Sequence, residues 1–141
     1  MTAMTKINGF VENLAEKVHN LGADSLVVAL SNTDPTTDGV QASTAAAVLA
    51  TVTQIAYTNL SSRSLTTSSS AQTGGTYANV LNDLVLSATG AVATFRYVYI
   101  YNDTATNDEL IGVYDYGAGG VTMSNGETFT IDFTGNFITL A

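Results

Sequence analysis

Cysteine is absent, proline occurs once and cations number only four in a chain of 141 residues. Without thiols there are no disulfides, thiolate metal sites or cysteine nucleophiles. The redox character of the compartment stays open. Lys6, Lys17, Arg63 and Arg96 stand against twelve acidic residues, for a net charge of −8. Four scattered cations build no basic patch to neutralise phosphates, so no nucleic-acid partner is expected. An anionic membrane surface is disfavoured for the same reason. No apolar run approaches the roughly 20 residues of a membrane-spanning helix. Residues 1–10 lack the basic head and apolar block of a secretory signal, so none is expected.

Charge of either sign is scarce. Charged residues make up 11% of the chain and hydrophobic ones 45%, where about a quarter charged is usual for soluble domains. Thr, Ser, Asn and Gly take the place of the missing charge. Thr favours strands and the others favour turns, so the composition reads as β. A surface so poor in charge also suits contact with other protein. The length fits one domain with its own core. No internal repeat and no linker divides it.

Phe10, Leu14, Val18 and Leu21 recur at helical spacing. This predicts a helix over residues 8–21, entered at Asn8, ended at Gly22 and packed on a sheet through Leu14 and Val18. The pattern then changes. Residues 26–30 form a short apolar run, closed by turn formers around Pro35. Residues 36–50 are ambiguous, with a small helix at 42–50 as one reading, and 52–57 read as a strand. The stretch 61–76 is rich in Ser, Thr and Gly. It is expected to be flexible, ordering on a partner, with an edge strand as the alternative. Clear period-two alternation follows at 83–88, 95–101 and 129–133, a further strand is read at 110–116, and residues 137–140 close the chain. Short strands separated by turns predict a mainly β, antiparallel sandwich or jelly-roll-like domain with one N-terminal α-helix.

The residue types that carry chemistry are sparse. His19 is the single histidine and has no evident catalytic partner, so a surface or capping role is expected. Asp103, Asp108 and Glu109 share one polar loop. They could supply an acid–base pair or bind Ca²⁺, but their spacing is unlike an EF-hand loop, and a solvated hairpin loop is the simpler reading. Asp34 with Asp38 reads the same way. Gly117, Gly119 and Gly120 lack the lysine or following helix of a phosphate cradle and read as a turn. The sequence therefore predicts no catalytic residue, metal site or cofactor, and a protein that is not an enzyme.

The tyrosines are the most informative feature. Tyr97, Tyr99 and Tyr101 alternate with Val98 and Ile100, and Tyr114 and Tyr116 form a second stripe on the next strand. If those strands pair, five phenols could share one face, as a protein interface or a sugar-stacking platform. Val98 and Ile100 carry no polar atom and are the better core residues, which predicts an outward Tyr face. Leu65, the main apolar anchor of the Ser/Thr/Gly stretch, joins these five as an expected interface residue.

Residues 13–22 running into 25–33 (NLAEKVHNLG, SLVVALSNT), with 95–103 (FRYVYIYND) and 125–133 (NGETFTIDF), resemble small proteins encoded in the structural modules of tailed phages. In size and β-rich character the chain is most similar to the capsid cement, or decoration, proteins of podophage-type heads. The resemblance covers most of the chain outside residues 36–76. It implies a jelly-roll-like domain on the capsid exterior of the virion. Its partners would be the major capsid protein and further copies of itself, and it would clamp neighbouring capsomers against the pressure of packed DNA. A tail or fibre component, including a glycan-binding one, shares the composition and is the alternative. A small glycosidase-like enzyme using the loop carboxylates is a third reading. Neutralising Asp103 or Asp108 would separate that one.

Overall fold

A computed structural model describes residues 3–41 and 47–141 of the chain. The elements run β1 (Thr5–Lys6), α1 (Phe10–Ala15), β2 (Leu26–Ser31), β3 (Thr67–Thr73), β4 (Thr76–Leu81), β5 (Leu84–Ser87), β6 (Val92–Phe95), β7 (Tyr97–Asn102), β8 (Leu110–Asp115), β9 (Val121–Met123), β10 (Thr128–Ile131) and β11 (Ile138–Leu140). The fold is mainly β, antiparallel and sandwich-like, with one short N-terminal helix, as the sequence predicts. The principal sheet has the order β1-β8-β7-β2. Three smaller sheets, β11-β4-β3, β10-β5 and β6-β9, complete the structure.

The principal sheet is apolar on both faces. On one face Leu26, Val28 and Leu30 of β2, Val98 and Ile100 of β7, and Ile111 and Tyr114 of β8 join the main core. The smaller sheets close that core with Leu81, Leu86, Phe95, Met123, Ile131 and Ile138. The inward positions of β5 and β10 follow the alternation in the sequence: Leu86 and Ile131 are buried while Val85 and Thr130 are exposed. On the opposite face Val27 and Ala29 of β2, Tyr97, Tyr99 and Tyr101 of β7, and Leu110 and Val113 of β8 form a second core with Ile7, Val40, Ala47 and Val52. Burial on both faces explains why residues 26–31 read as a continuous run rather than an alternating one.

A register shift between the Ile100–Gly112 and Tyr101–Leu110 pairs leaves Ile111 as the extra residue of β8. A bulge of this kind re-aims the side chains beyond it. It lets Leu110 and Val113 fill one core while Ile111 and Tyr114 fill the other.

The helix is much shorter than the predicted 8–21. It stops after Ala15, and its C-terminus is a Schellman turn. Val18 N donates to Asn13 O at 2.8 Å and Lys17 N to Leu14 O at 3.4 Å, with Lys17 left-handed at φ 65. The apolar spacing misled because Val18 and Leu21 are apolar without being helical: Leu21 is buried from the following loop. Phe10 is the buried residue of the helix, and Leu14 is half-buried against the main core.

The flexible reading of residues 61–76 also changes. Thr67–Thr73 and Thr76–Leu81 form a hairpin closed by Gly74 and Gly75, both at positive φ. Such a two-residue turn needs residues without a Cβ penalty. The edge-strand alternative is the observed one. Residues 52–57 form no strand of their own but run along β2, where Ile55 N donates to Leu30 O at 3.0 Å. Of the ambiguous stretch, residues 42–46 lie outside the described residues, and Leu49–Thr51 is a single 3₁₀ turn.

Lys17 tests this account of the helix end. A non-glycine residue at the left-handed cap position is strained, and glycine relieves that strain at some cost in chain entropy. Lys17→Gly should raise stability by about 0.5–1 kcal/mol, read as an upward shift of the denaturant midpoint at unchanged slope. A helix continuing to residue 21 would instead be weakened by the change.

Candidate interaction surface

The outward Tyr face is corrected by the structure. Tyr97, Tyr99 and Tyr101 are 4%, 0% and 5% exposed, inside the second core. Val98 and Ile100 are equally buried on the other side, so the alternation is real but both faces are interior. Nor do the five phenols share a face. Tyr114 lies opposite Val98 in the β7–β8 ladder, with its ring in the main core. Half-buried Tyr116 follows on the same side and packs edge-on against Phe129 at 5.1 Å. Burial pushes the Tyr114 and Tyr116 phenols up to about 12. Leu65 is half-buried against the main core, and its backbone N donates to Leu26 O at 2.9 Å. These six side chains build the interior of the chain, and none offers an open ring face to a partner.

The polar groups singled out in the sequence are tied into the same scaffold. Asn102, fully buried at the end of β7, accepts from the Thr104 and Ala105 backbone N–H groups through Oδ1, at 3.0 and 3.2 Å. That fixes its amide orientation. Its Nδ2 then donates to Asp24 Oδ2 at 2.6 Å and to His19 Nδ1 at 3.1 Å. His19 must therefore carry its proton on Nε2, a buried atom with no protein partner. The ring stacks on Phe10 at 5.4 Å. Burial holds the imidazole below its ordinary value, against the opposing pull of Glu109 and Asp24.

Arg96 makes a bidentate pair with Asp115 at 2.7 Å. The Tyr97 hydroxyl donates to Asp34 Oδ2 at 3.0 Å. Asp34 also accepts from the Thr36 backbone N and hydroxyl, the chief reason its carboxyl sits low. Arg63 lies over the Tyr57 ring at 3.7 Å and donates to the Val28 carbonyl. The Tyr57 hydroxyl accepts from Leu30 N at 2.9 Å. These bonds close the outer edge of β2.

The loop carboxylates do not converge. Glu109 turns back onto Asn107 at 3.0 Å. Asp108, at φ 54, is held above the usual carboxylate range by burial and by Asp103 and Glu109. Among the described residues no group of three or more metal-ligating side chains comes together. No helix among them is long and apolar enough to cross a membrane.

Charged side chains such as Glu12, Glu16, Asp83 and Asp132 are exposed, but one outward region carries none. Among the described residues Val11, Val85 and Leu140 are the exposed large hydrophobics, at 53%, 51% and 42%. They belong to separate elements and make no Tyr-rich patch. The most distinctive outward element is the β3–β4 hairpin. Six of the seven β3 residues are exposed, and no charged residue occurs between Arg63 and Asp83. Sequence reasoning reached this segment but singled out Leu65, which points inward. The signal that marks it is an uncharged run rich in Ser, Thr and Gln, in a strand exposed at six of its seven positions. Beside it an open groove of about 620 Å³ is lined by Leu14, Lys17, His19, Leu21, Ser70 and Tyr77.

Two predictions follow from this geometry. The buried Tyr99 hydroxyl has no hydrogen-bond partner, so Tyr99→Phe should be neutral or slightly stabilising. Tyr99→Ser, which empties a fully buried ring site, should cost about 3–5 kcal/mol in denaturant unfolding. An outward ring would make both changes mild. His19 supplies a pH signature. Its folded-state value lies below the unfolded one, so between the two the unfolded chain binds more protons. The stability it contributes is complete above pH 6.5, the ordinary imidazole value, and is lost as pH falls toward the folded-state value. Unfolding midpoints taken from about pH 7.5 down to about pH 5 should fall less steeply in His19→Gln than in the parent chain. Parallel profiles would show that the ring is not held neutral by burial.

No protein-family model, no curated protein and no solved structure matches the chain.

Proposed function

We propose that the chain is a structural protein of a phage virion, a capsid cement protein that binds outside the major capsid shell and stiffens it against internal pressure. The observation that carries this reading is the division of labour between interior and surface. His19, Arg63, Arg96 and the carboxylates Asp24, Asp34 and Asp115 are engaged in bonds that hold the scaffold. The outward hairpin, by contrast, is uncharged over its whole length, and its edge strand β3 is polar apart from Ala71. Such a surface suits contact with protein, and a scaffold tied at both faces suits a mechanical part. The segments that resemble phage structural proteins also include all of β2, β7 and β10, three strands of that scaffold. The mechanism is multivalent: many copies, each bridging a joint between capsomers, sum weak contacts into a firm lattice. The acidic balance of −8 gives no attraction to the packaged genome, consistent with a place outside the shell.

Expanded heads lacking tails provide the test. Purified chain should co-sediment with them to saturation, and heads carrying it should release DNA at a higher temperature than bare heads. Binding confined to tails or to tail-bearing particles would favour the tail or fibre assignment and overturn the cement one.

A further inference from the structure

The edges of the sheets are not treated alike. The outer edge of β2 is covered by residues 54–65, through Ile55 N to Leu30 O at 3.0 Å, Val28 N to Arg63 O at 3.0 Å and Leu65 N to Leu26 O at 2.9 Å. The opposite edge of that sheet is β1, only two residues long. The end of β5 is tied to the preceding loop, with Ser61 N donating to Ser87 O at 3.0 Å. β3 is the exception. At seven residues it is the longest strand among those described, it lies at the edge of its sheet, and it carries no charge and no proline. Charged residues, proline and brevity are the usual guards of an open edge. Here a bulge at Ser68, between the Thr67 and Ser69 pairings, is the one guard present, at one end of the strand.

Register shows which backbone groups are open. The two-residue turn makes Thr73 and Thr76 a hydrogen-bonded pair. Alternation along an antiparallel ladder then directs Ala71 toward β4 and aims the N–H and C=O groups of Ser70 and Gln72 away from it. No strand among the described residues pairs with that side of β3. Exposed backbone donors and acceptors in this row fit an extended strand, and the strand they fit best is the same one from a second copy.

We propose that β3 pairs antiparallel with β3 of another copy about a two-fold axis at Ala71. The two three-stranded sheets then become one six-stranded sheet, β11-β4-β3-β3-β4-β11. In this register Ser70 of each copy exchanges two hydrogen bonds with Gln72 of the other, and the Ser68 bulge stays outside the paired core. At the axis two alanines meet at the close, non-hydrogen-bonded spacing, where a small side chain is needed. Charge selects the partner. Two copies of a chain with net charge −8 repel each other, and the run from 64 to 82 holds an exposed strand edge on which they can meet without opposed carboxylates. The pairing is isologous and closes at a dimer. It stands on the edge alone and does not depend on the capsid assignment.

Sedimentation equilibrium of the isolated chain tests it without any heads present. The parent chain should show a concentration-dependent dimer. Ala71→Lys and Ala71→Glu each place like charges face to face across the axis, and each should weaken the dimer at least about tenfold. An equimolar mixture of the two variants should restore it, because opposite charges then meet. Ala71 is exposed in the single chain, so both variants should melt like the parent. Gln72→Pro, which removes an outward N–H without touching the β3–β4 ladder, should also abolish dimerisation. A chain that stays monomeric at every concentration overturns the proposal. So does a dimer indifferent to the Ala71 variants, or one that the mixture fails to restore.

Discussion

Everything in this fold depends on a sheet that is buried on both faces. β2, β7 and β8 place no charged side chain on either side until Asp115 at the end of β8. A strand in that position cannot shed its apolar side chains to water on either face, so the chain has to supply two covers. The smaller β sheets provide one, and the N-terminal segment with the loop around Val40 and Val52 provides the other. Hydrophobic burial at roughly 25 cal/mol per Å² makes both covers favourable. The consequence is a scaffold whose central strand is gripped from both sides and has little freedom to slide, since a one-residue slip would exchange the two sets of side chains. Tyr99 opposite Ala29 shows how closely volumes are matched: the large ring on β7 lies beside the smallest side chain of β2.

Polar groups within such a sheet must be satisfied by what lies nearby, and the chain does so at its ends. Asn102 at one end of β7 ties the loop before β2 to the turn before β8, through Asp24, His19, Thr104 and Ala105. Near the other end, Arg96 grips Asp115 while Tyr97 reaches Asp34. These pairs give orientation more than stability, because the Arg96–Asp115 pair is partly exposed and screened by solvent. Their value is that they fix where β7 begins and ends, and so fix the register of the ladders on both sides of it.

Much of the strand pattern is legible in the sequence, because period two survives in residues 95–101 and 129–133 whatever lies on either side. What the sequence does not carry is the side on which each face is covered. Tyr against Val looks like surface against core by polarity. A phenol, however, is large enough to anchor a second core with its hydroxyl near the rim, as Tyr97 does through Asp34. Tyr114 is a second example: its face is set by the bulge at Ile111, a backbone event with no sequence signature here. The helix was overextended for a related reason. Periodicity reports which residues are buried, and Leu21 is buried, but from a loop beyond a left-handed Lys17 that no propensity scale would place at a cap. The candidate interaction surface is half legible: its composition points to residues 61–76, but Leu65, the apolar residue that stands out there, faces inward and says nothing of the backbone edge.

That backbone edge is where constraint gives way to opportunity. A protein that builds its interior from unusually apolar strands risks pairing with other chains wherever a strand edge is open, and in the principal sheet the β2 edge is covered and the β1 edge is short. β3 is long, uncharged and open, yet its side chains are Ser, Ala, Gln and Thr rather than the aliphatic and aromatic residues that drive uncontrolled aggregation. With apolar side chains so sparse, contact at this edge has to come mainly from backbone hydrogen bonds in a defined register, which are individually weak in water. Weak, register-specific and closed by symmetry is the combination that allows association without runaway polymerisation. The composition of the hairpin therefore argues that its openness is controlled, and it separates the two roles of the chain. The two-faced sheet is rigid, and the polar edge of β3, turned onto β4 through Gly74 and Gly75, is open to contact.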